Sequence, residues 1–141
     1  MQVKAHHTRA DLRRVPFRGP GSSGRSATMG SMDEEAIPIL HVEDAAVAVG
    51  WYERLGFAKQ WEHRFEPGLP AFVEVARGRV RLFLSEHKGD ARPDTLVYLR
   101  VRDVDAIASE FGVRAEDAPW AREIELRDPD GNRLRIGTPT E

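Results

Sequence analysis

From Ala36 onward, apolar and polar positions fall into short periodic segments. Ile37-Pro38-Ile39-Leu40-His41-Val42 reads as a strand, with proline tolerated near its start or on a sheet edge. Asp44 is placed to cap a helix. On that helix Val47, Trp51 and Leu55 recur at i, i+4 and i+8, and Gly56 stands where a closing glycine belongs. Three strand-like runs follow, at 57–65, 71–76 and 80–85, separated by Pro67-Gly68 and Arg77-Gly78.

The same order of signals then returns. Residues 96–101 read as a strand and Asp103 as a helix cap. Val104, Ile107, Ala108 and Phe111 make an apolar helical stripe, and Gly112 closes it. A short strand near Val113 and runs at 122–127 and 133–137 complete the second set. Asp128-Pro129-Asp130-Gly131 joins the last two runs, with proline and glycine where a type I turn prefers them. Val42-Glu43-Asp44 is echoed by Val101-Arg102-Asp103, an offset of 59 residues. The pattern therefore predicts an α+β chain of two tandem βαβββ modules forming concave sheets. Neither module can bury a one-sided sheet alone, so the two must pair within the chain or between chains.

The segment ahead of this pattern is different in kind. It is rich in Arg, Ser and Gly, and Gly19-Pro20-Gly21-Ser22-Ser23-Gly24 carries neither strand nor helix period. Residues 1–32 are expected to be a disordered basic extension and 33–141 the domain. Met29 and Met32 stand just before the domain, so the extension fits an upstream start, an appended sequence or a native tail alike, and its Arg-rich character also fits a transit peptide.

Charge divides the chain at the same place. Residues 1–31 hold six basic residues and one acid, leaving 15 basic and 22 acidic residues in 32–141, a net charge of −7. An anionic domain disfavours nucleic acid and suits a cationic ligand. With no cysteine, disulfides, thiolate catalysis and cysteine-ligated metals are excluded. No apolar run approaches the roughly 20 residues that cross a bilayer, so no membrane partner is expected and the cytoplasm is the default location. His41, His63 and His87 could serve as general bases, yet none has an orienting partner visible in sequence, and there is neither a Gly-x-Ser-x-Gly elbow nor a phosphate loop.

Particular residues narrow the class. Ile37-Pro38-Ile39-Leu40, Trp51-Tyr52-Glu53-Arg54-Leu55-Gly56-Phe57, Leu82-Phe83-Leu84-Ser85, and Pro119-Trp120-Ala121-Arg122-Glu123 running into Asp128-Pro129-Asp130-Gly131-Asn132 together resemble bleomycin resistance proteins. Those belong to the glyoxalase/bleomycin resistance/dioxygenase (vicinal oxygen chelate) superfamily, and the resemblance spans about residues 36–137. Enzymes of that superfamily hold a divalent metal through His, Gln or Glu on the first and last strands of each module. The corresponding positions here are Ile37, Leu96 and Arg135, none of which can ligate a metal. The resemblance thus implies no metal, no other cofactor and no catalytic residues.

It implies instead a homodimer that sequesters a flat, cationic, bleomycin-type glycopeptide in grooves at the subunit interface, without modifying it. Aromatic side chains would stack on the drug and carboxylates would meet its charge. Trp120 is the first stacking candidate, followed by Trp61, Phe72 and Phe65; Glu62, Glu66 and Asp117, with neighbouring Glu116, are the candidate acids. Trp51 and Phe111 fall to the core. Two alternatives stay open: a lyase- or dioxygenase-type enzyme of the superfamily acting on a small metabolite, and a metabolite-binding module.

Overall fold

The computed structural model describes residues 33–140, so the expectation for residues 1–32 lies outside the described residues. The first module runs β1 (Ile39–His41), α1 (Ala45–Arg54), β2 (Ala58–His63), β3 (Phe72–Arg77) and β4 (Val80–Ser85). The second repeats it as β5 (Leu96–Arg100), α2 (Val104–Phe111), β6 (Glu116–Asp117), β7 (Ala121–Arg127) and β8 (Arg133–Pro139). Each module is a four-stranded sheet with equivalent strand order, β1-β4-β3-β2 and β5-β8-β7-β6. The β1–β4 and β5–β8 pairs are parallel and the others antiparallel. This is the tandem βαβββ architecture that the repeat predicts.

The helix boundaries follow from caps. The Asp44 carboxylate accepts from the backbone N–H groups of Ala46 (3.0 Å) and Val47 (3.4 Å), and Asp103 does the same for Ala106 (3.2 Å). Both helices close identically. Gly56 and Gly112 take left-handed backbone (φ +93° and +66°), and the next residues donate back to the helix, Phe57 N to Tyr52 O and Val113 N to Ala108 O, both at 3.0 Å. Glycine is suited to this closure because it has no Cβ to clash at positive φ.

That closure corrects one expectation. Val113 belongs to the helix end, and the short strand starts later, at Glu116. A second correction concerns α1. Val47 is 56% exposed, and the buried face is Ala45, Ala48 and Tyr52, continued by Leu55. Both sets share a helical period, but two alanines let the helix lie close to the sheet, and the Tyr52 hydroxyl needs an interior acceptor.

That acceptor is in the other module. Tyr52 donates to Asp128 Oδ2 (2.8 Å), and the same carboxylate accepts from the side chain and backbone of Asn132 (3.0 and 2.9 Å). Asn132 also donates to the His41 carbonyl (3.0 Å), and Glu43 N donates to Asp130 (3.0 Å). The 128–131 turn closes through the Gly131 N–H on the Asp128 carbonyl (3.0 Å) and is thereby sutured to the first module. Between the helices, Trp51 meets Phe111 at 5.3 Å and Arg54 sits 4.2 Å above the Phe111 ring. Side chains such as Leu40, Val73 and Leu84 from one module and Val104, Leu134 and Ile136 from the other form one continuous core. The modules therefore pack through their helix-bearing sides, and each sheet turns its other face outward. Among the described residues no helix is long and apolar enough to cross a membrane.

Candidate functional site

Residues paired in register share a face of a sheet, so the pairing shows what each outward face carries. On the first sheet one row runs Trp61, Glu74, Phe83 and Ile39, and the next His63, Phe72, Ser85 and His41. Strict alternation along β2 would have turned Trp61 toward the helix. A bulge at Gln60 prevents this: Lys59 pairs with Val75 but Trp61 pairs with Glu74, so one extra residue re-aims the indole outward. There Trp61 lies nearly parallel to Phe72 (6.1 Å between centroids, 15° between planes), with Phe83 beside both. Glu74 is only 5% exposed. It accepts the Trp61 indole N–H at 2.6 Å and the Arg81 guanidinium, so its charge is answered within the face.

The second sheet repeats the device. Its outward rows are Glu116, Glu123, Gly137 and Arg100; then Glu125, Arg135 and Tyr98; then Arg127, Arg133 and Leu96. Trp120, at the entrance to β7, donates its indole N–H to Glu123 Oε2 (2.8 Å), and the Tyr98 hydroxyl donates to the same oxygen (2.8 Å). In each module a tryptophan is thus held through its N–H by a glutamate of the third strand, which leaves the ring faces for other contacts. Trp120 is 64% exposed, and Tyr98 and Leu96 of the same face are also exposed.

The predicted acids are placed differently. The bulge that turns Trp61 outward turns Glu62 to the helix side, where it pairs with Lys59 (2.8 Å) and Arg64 (3.1 Å). The Lys59 hydrogen bond, opposed by slight burial and reinforced by Arg64, holds its carboxyl below the usual glutamate range. Asp117 pairs with Arg122, whose guanidinium also meets Asp105 of α2, so it too faces the helix side. Glu66 is exposed in the turn after β2, and Phe65 stands edge-on to His63 at 4.8 Å. Of the named acids only Glu116 shares a face with a stacking candidate. Trp61, Phe72 and Phe65 are brought together on one side of the molecule, and Trp120 lies on the other.

Sequence reasoning missed Glu74, Glu123 and Tyr98. A lone acid inside the apolar run Phe72-Val73-Glu74-Val75 was the available signal, since a carboxylate buried mid-strand needs partners. For Tyr98 and Glu123 the signal was Gly137, whose missing side chain could not be linked to a tyrosine on another strand.

A metal does not fit here. The outward positions of β1, β4, β5 and β8 carry Ile39, Arg81, Phe83, Leu96, Tyr98, Arg133 and Arg135, with His41 as a solitary imidazole. Among the described residues no cluster of three His, Asp or Glu could hold an ion. Ser85 is fully buried and donates to Asp90 (2.7 Å), and burial lowers the His87 pKa. The arrangement offers aromatic faces and guanidinium groups.

The chain matches the family described as glyoxalase superfamily protein over residues 23–141, and it belongs to that superfamily. Its fold is shared with the bleomycin-binding protein of the bleomycin-producing Streptomyces verticillus, solved with copper(II)-bleomycin (28% identity, 78% of this chain and 98% of that one, TM-score 0.56). It is shared also with a bleomycin-binding protein complexed with bleomycin (22%, 77% and 100%, TM-score 0.60). A third is TnmS3, an antibiotic binding protein from Streptomyces sp. CB03234 (23%, 77% and 99%, TM-score 0.58). No curated protein matches the chain in sequence.

Proposed function

We propose that this protein binds a planar aromatic antibiotic or related metabolite stoichiometrically and sequesters it without chemical change. The observation that carries the reading is the repeated tryptophan–glutamate pair, one on each outward face, with Trp120 held by Glu123 yet 64% exposed. An indole fixed through its N–H is a preorganised stacking surface. Because the first-sheet and second-sheet faces point away from a common core, Trp61 and Trp120 of one chain cannot hold the same ligand. A homodimer that sets the first-sheet face of one copy against the second-sheet face of the other would bring them together, making two equivalent grooves and covering Leu96, Tyr98 and Trp120. The bleomycin-type glycopeptide expected from the sequence is one member of the ligand class. Stacking rather than charge supports the reading, since Glu62 and Asp117 are engaged by Lys59, Arg64 and Arg122.

Sequestration requires tight binding, because a Kd on the order of 1 mM leaves nearly all of a micromolar drug free. The test is a titration of bleomycin and of simpler planar aromatics followed by tryptophan fluorescence, with sedimentation of the free and bound protein. Saturable quenching at one ligand per chain in a dimer, with the ligand recovered at unchanged mass, is the expected result. A monomer without saturable quenching by any of them overturns the reading.

A further inference from the structure

The sign of the ligand's charge can be taken further, resting on the reading that these faces bind a planar molecule. Around Tyr98 the second-sheet face is cationic. Arg100 lies two residues further along β5 on the same face, and Arg135 is Tyr98's register partner on β8. Both guanidiniums act on the Tyr98 hydroxyl electrostatically, pulling its pKa down against the larger upward effects of partial burial and the Glu123 hydrogen bond.

Of the carboxylates of this face, Glu116 is exposed, and Glu123 and Glu125 accept hydrogen bonds. Glu125 accepts from Arg133 at 2.8 Å and has Arg135 only at 3.6 Å, while Glu123 takes the two neutral donors. Arg100 makes no hydrogen bond or ion pair with any described residue. On the opposite sheet, Glu74 is neutralised by Arg81. Beside Trp120 the carboxylates are Glu116 and Glu123, whereas beside Tyr98 stand one unanswered guanidinium and one loosely held, so an anionic group is favoured at the Tyr98 end of the face.

We propose that the ligand is a planar aromatic carrying an anionic group, a carboxylate, sulfonate or phenolate, that docks on Arg100 and Arg135 while its rings extend over Tyr98 toward Trp120. The spacing suits this. Tyr98 and Trp120 meet on one oxygen of Glu123, so their polar tips are at most two hydrogen-bond lengths apart and both side chains are anchored at that point. Arginine is the apt partner because its planar fork grips an oxyanion and stacks on the same rings.

The test uses three matched probes on the full chain: anthraquinone-2-sulfonate, neutral 2-(hydroxymethyl)anthraquinone, and an anthraquinone bearing a trimethylammonium group. Kd values come from tryptophan quenching at low and high salt. The anion is expected to bind about tenfold more tightly than the neutral probe at low salt, with the cation weakest and the gap narrowing as salt rises. Arg100→Gln, an exposed substitution, should weaken the anion far more than the neutral probe and bring the two to within about twofold of each other, and Arg135→Gln should act in the same direction. A neutral or cationic probe bound best, or an anion preference untouched by Arg100→Gln, overturns this inference and leaves the planar-ligand reading standing. Failure of all three to bind removes both.

Discussion

Tyr98 and Gly137 are matched across two strands: the Tyr98 hydroxyl occupies the space that a Cβ on residue 137 would need. Only a glycine on β8 lets the tyrosine of β5 reach over it to Glu123 of β7 at 2.8 Å. The requirement is side-chain space, since Gly137 has no positive φ. Gly137→Ala should therefore displace Tyr98, free one lone pair of Glu123 and loosen the anchor that holds Trp120. We expect a stability loss of about 1–3 kcal/mol from overpacking, with weaker ligand binding and altered Trp120 emission. Unchanged emission and affinity would mean that Tyr98 does not position the platform.

The latch between modules gives a second expectation. Tyr52 is fully buried, and burial together with the neighbouring Asp128 charge raises its pKa far above the ordinary tyrosine value, so it stays a donor at any working pH. Tyr52→Phe leaves a buried carboxylate short of one donor and should cost about 1.5–3 kcal/mol in chemical denaturation. A loss below about 0.5 kcal/mol would show that the remaining donors from Asp130 and Asn132 satisfy Asp128 alone.

The repeat, both helix caps and most strands were legible because each rests on local chemistry: Asp44 and Asp103 at helix starts, Gly56 and Gly112 at their ends, alternation in between. The site was less so. The facing of Trp61 and Glu62 depends on the bulge at Gln60, and a one-residue shift in a period-two pattern exchanges the two faces without leaving a mark in composition. Val47 in place of Ala45 and Ala48 was misjudged for a related reason, since hydrophobicity ranks valine above alanine while close helix–sheet packing favours the smaller side chain. Trp120 is a stacking candidate on sequence grounds, but its anchor Glu123 depends on pairing across the second sheet.

Glu62 carries the pH expectation. Its folded-state pKa is lowered, first by Lys59, so its contribution to stability is present above the unfolded glutamate pKa of about 4.3 and is lost as pH falls through the lower folded value. Glu62→Gln should be less stable than the parent by less than about 1 kcal/mol near neutrality, as expected for a half-exposed ion pair, and the two should converge below about pH 4. Ligand affinity should not change, because Glu62 faces the helix side. A Glu62→Gln protein with intact stability and weakened binding would return Glu62 to the groove.

The most direct measurement is Trp120→Ala, with a planar aromatic titration and chemical denaturation on the same protein. For an indole that is 64% exposed and held as a platform, affinity should fall by about 1–3 kcal/mol with stability nearly unchanged. A stability loss of about 3–5 kcal/mol, as for a core aromatic, with undiminished affinity in the folded fraction would contradict the account.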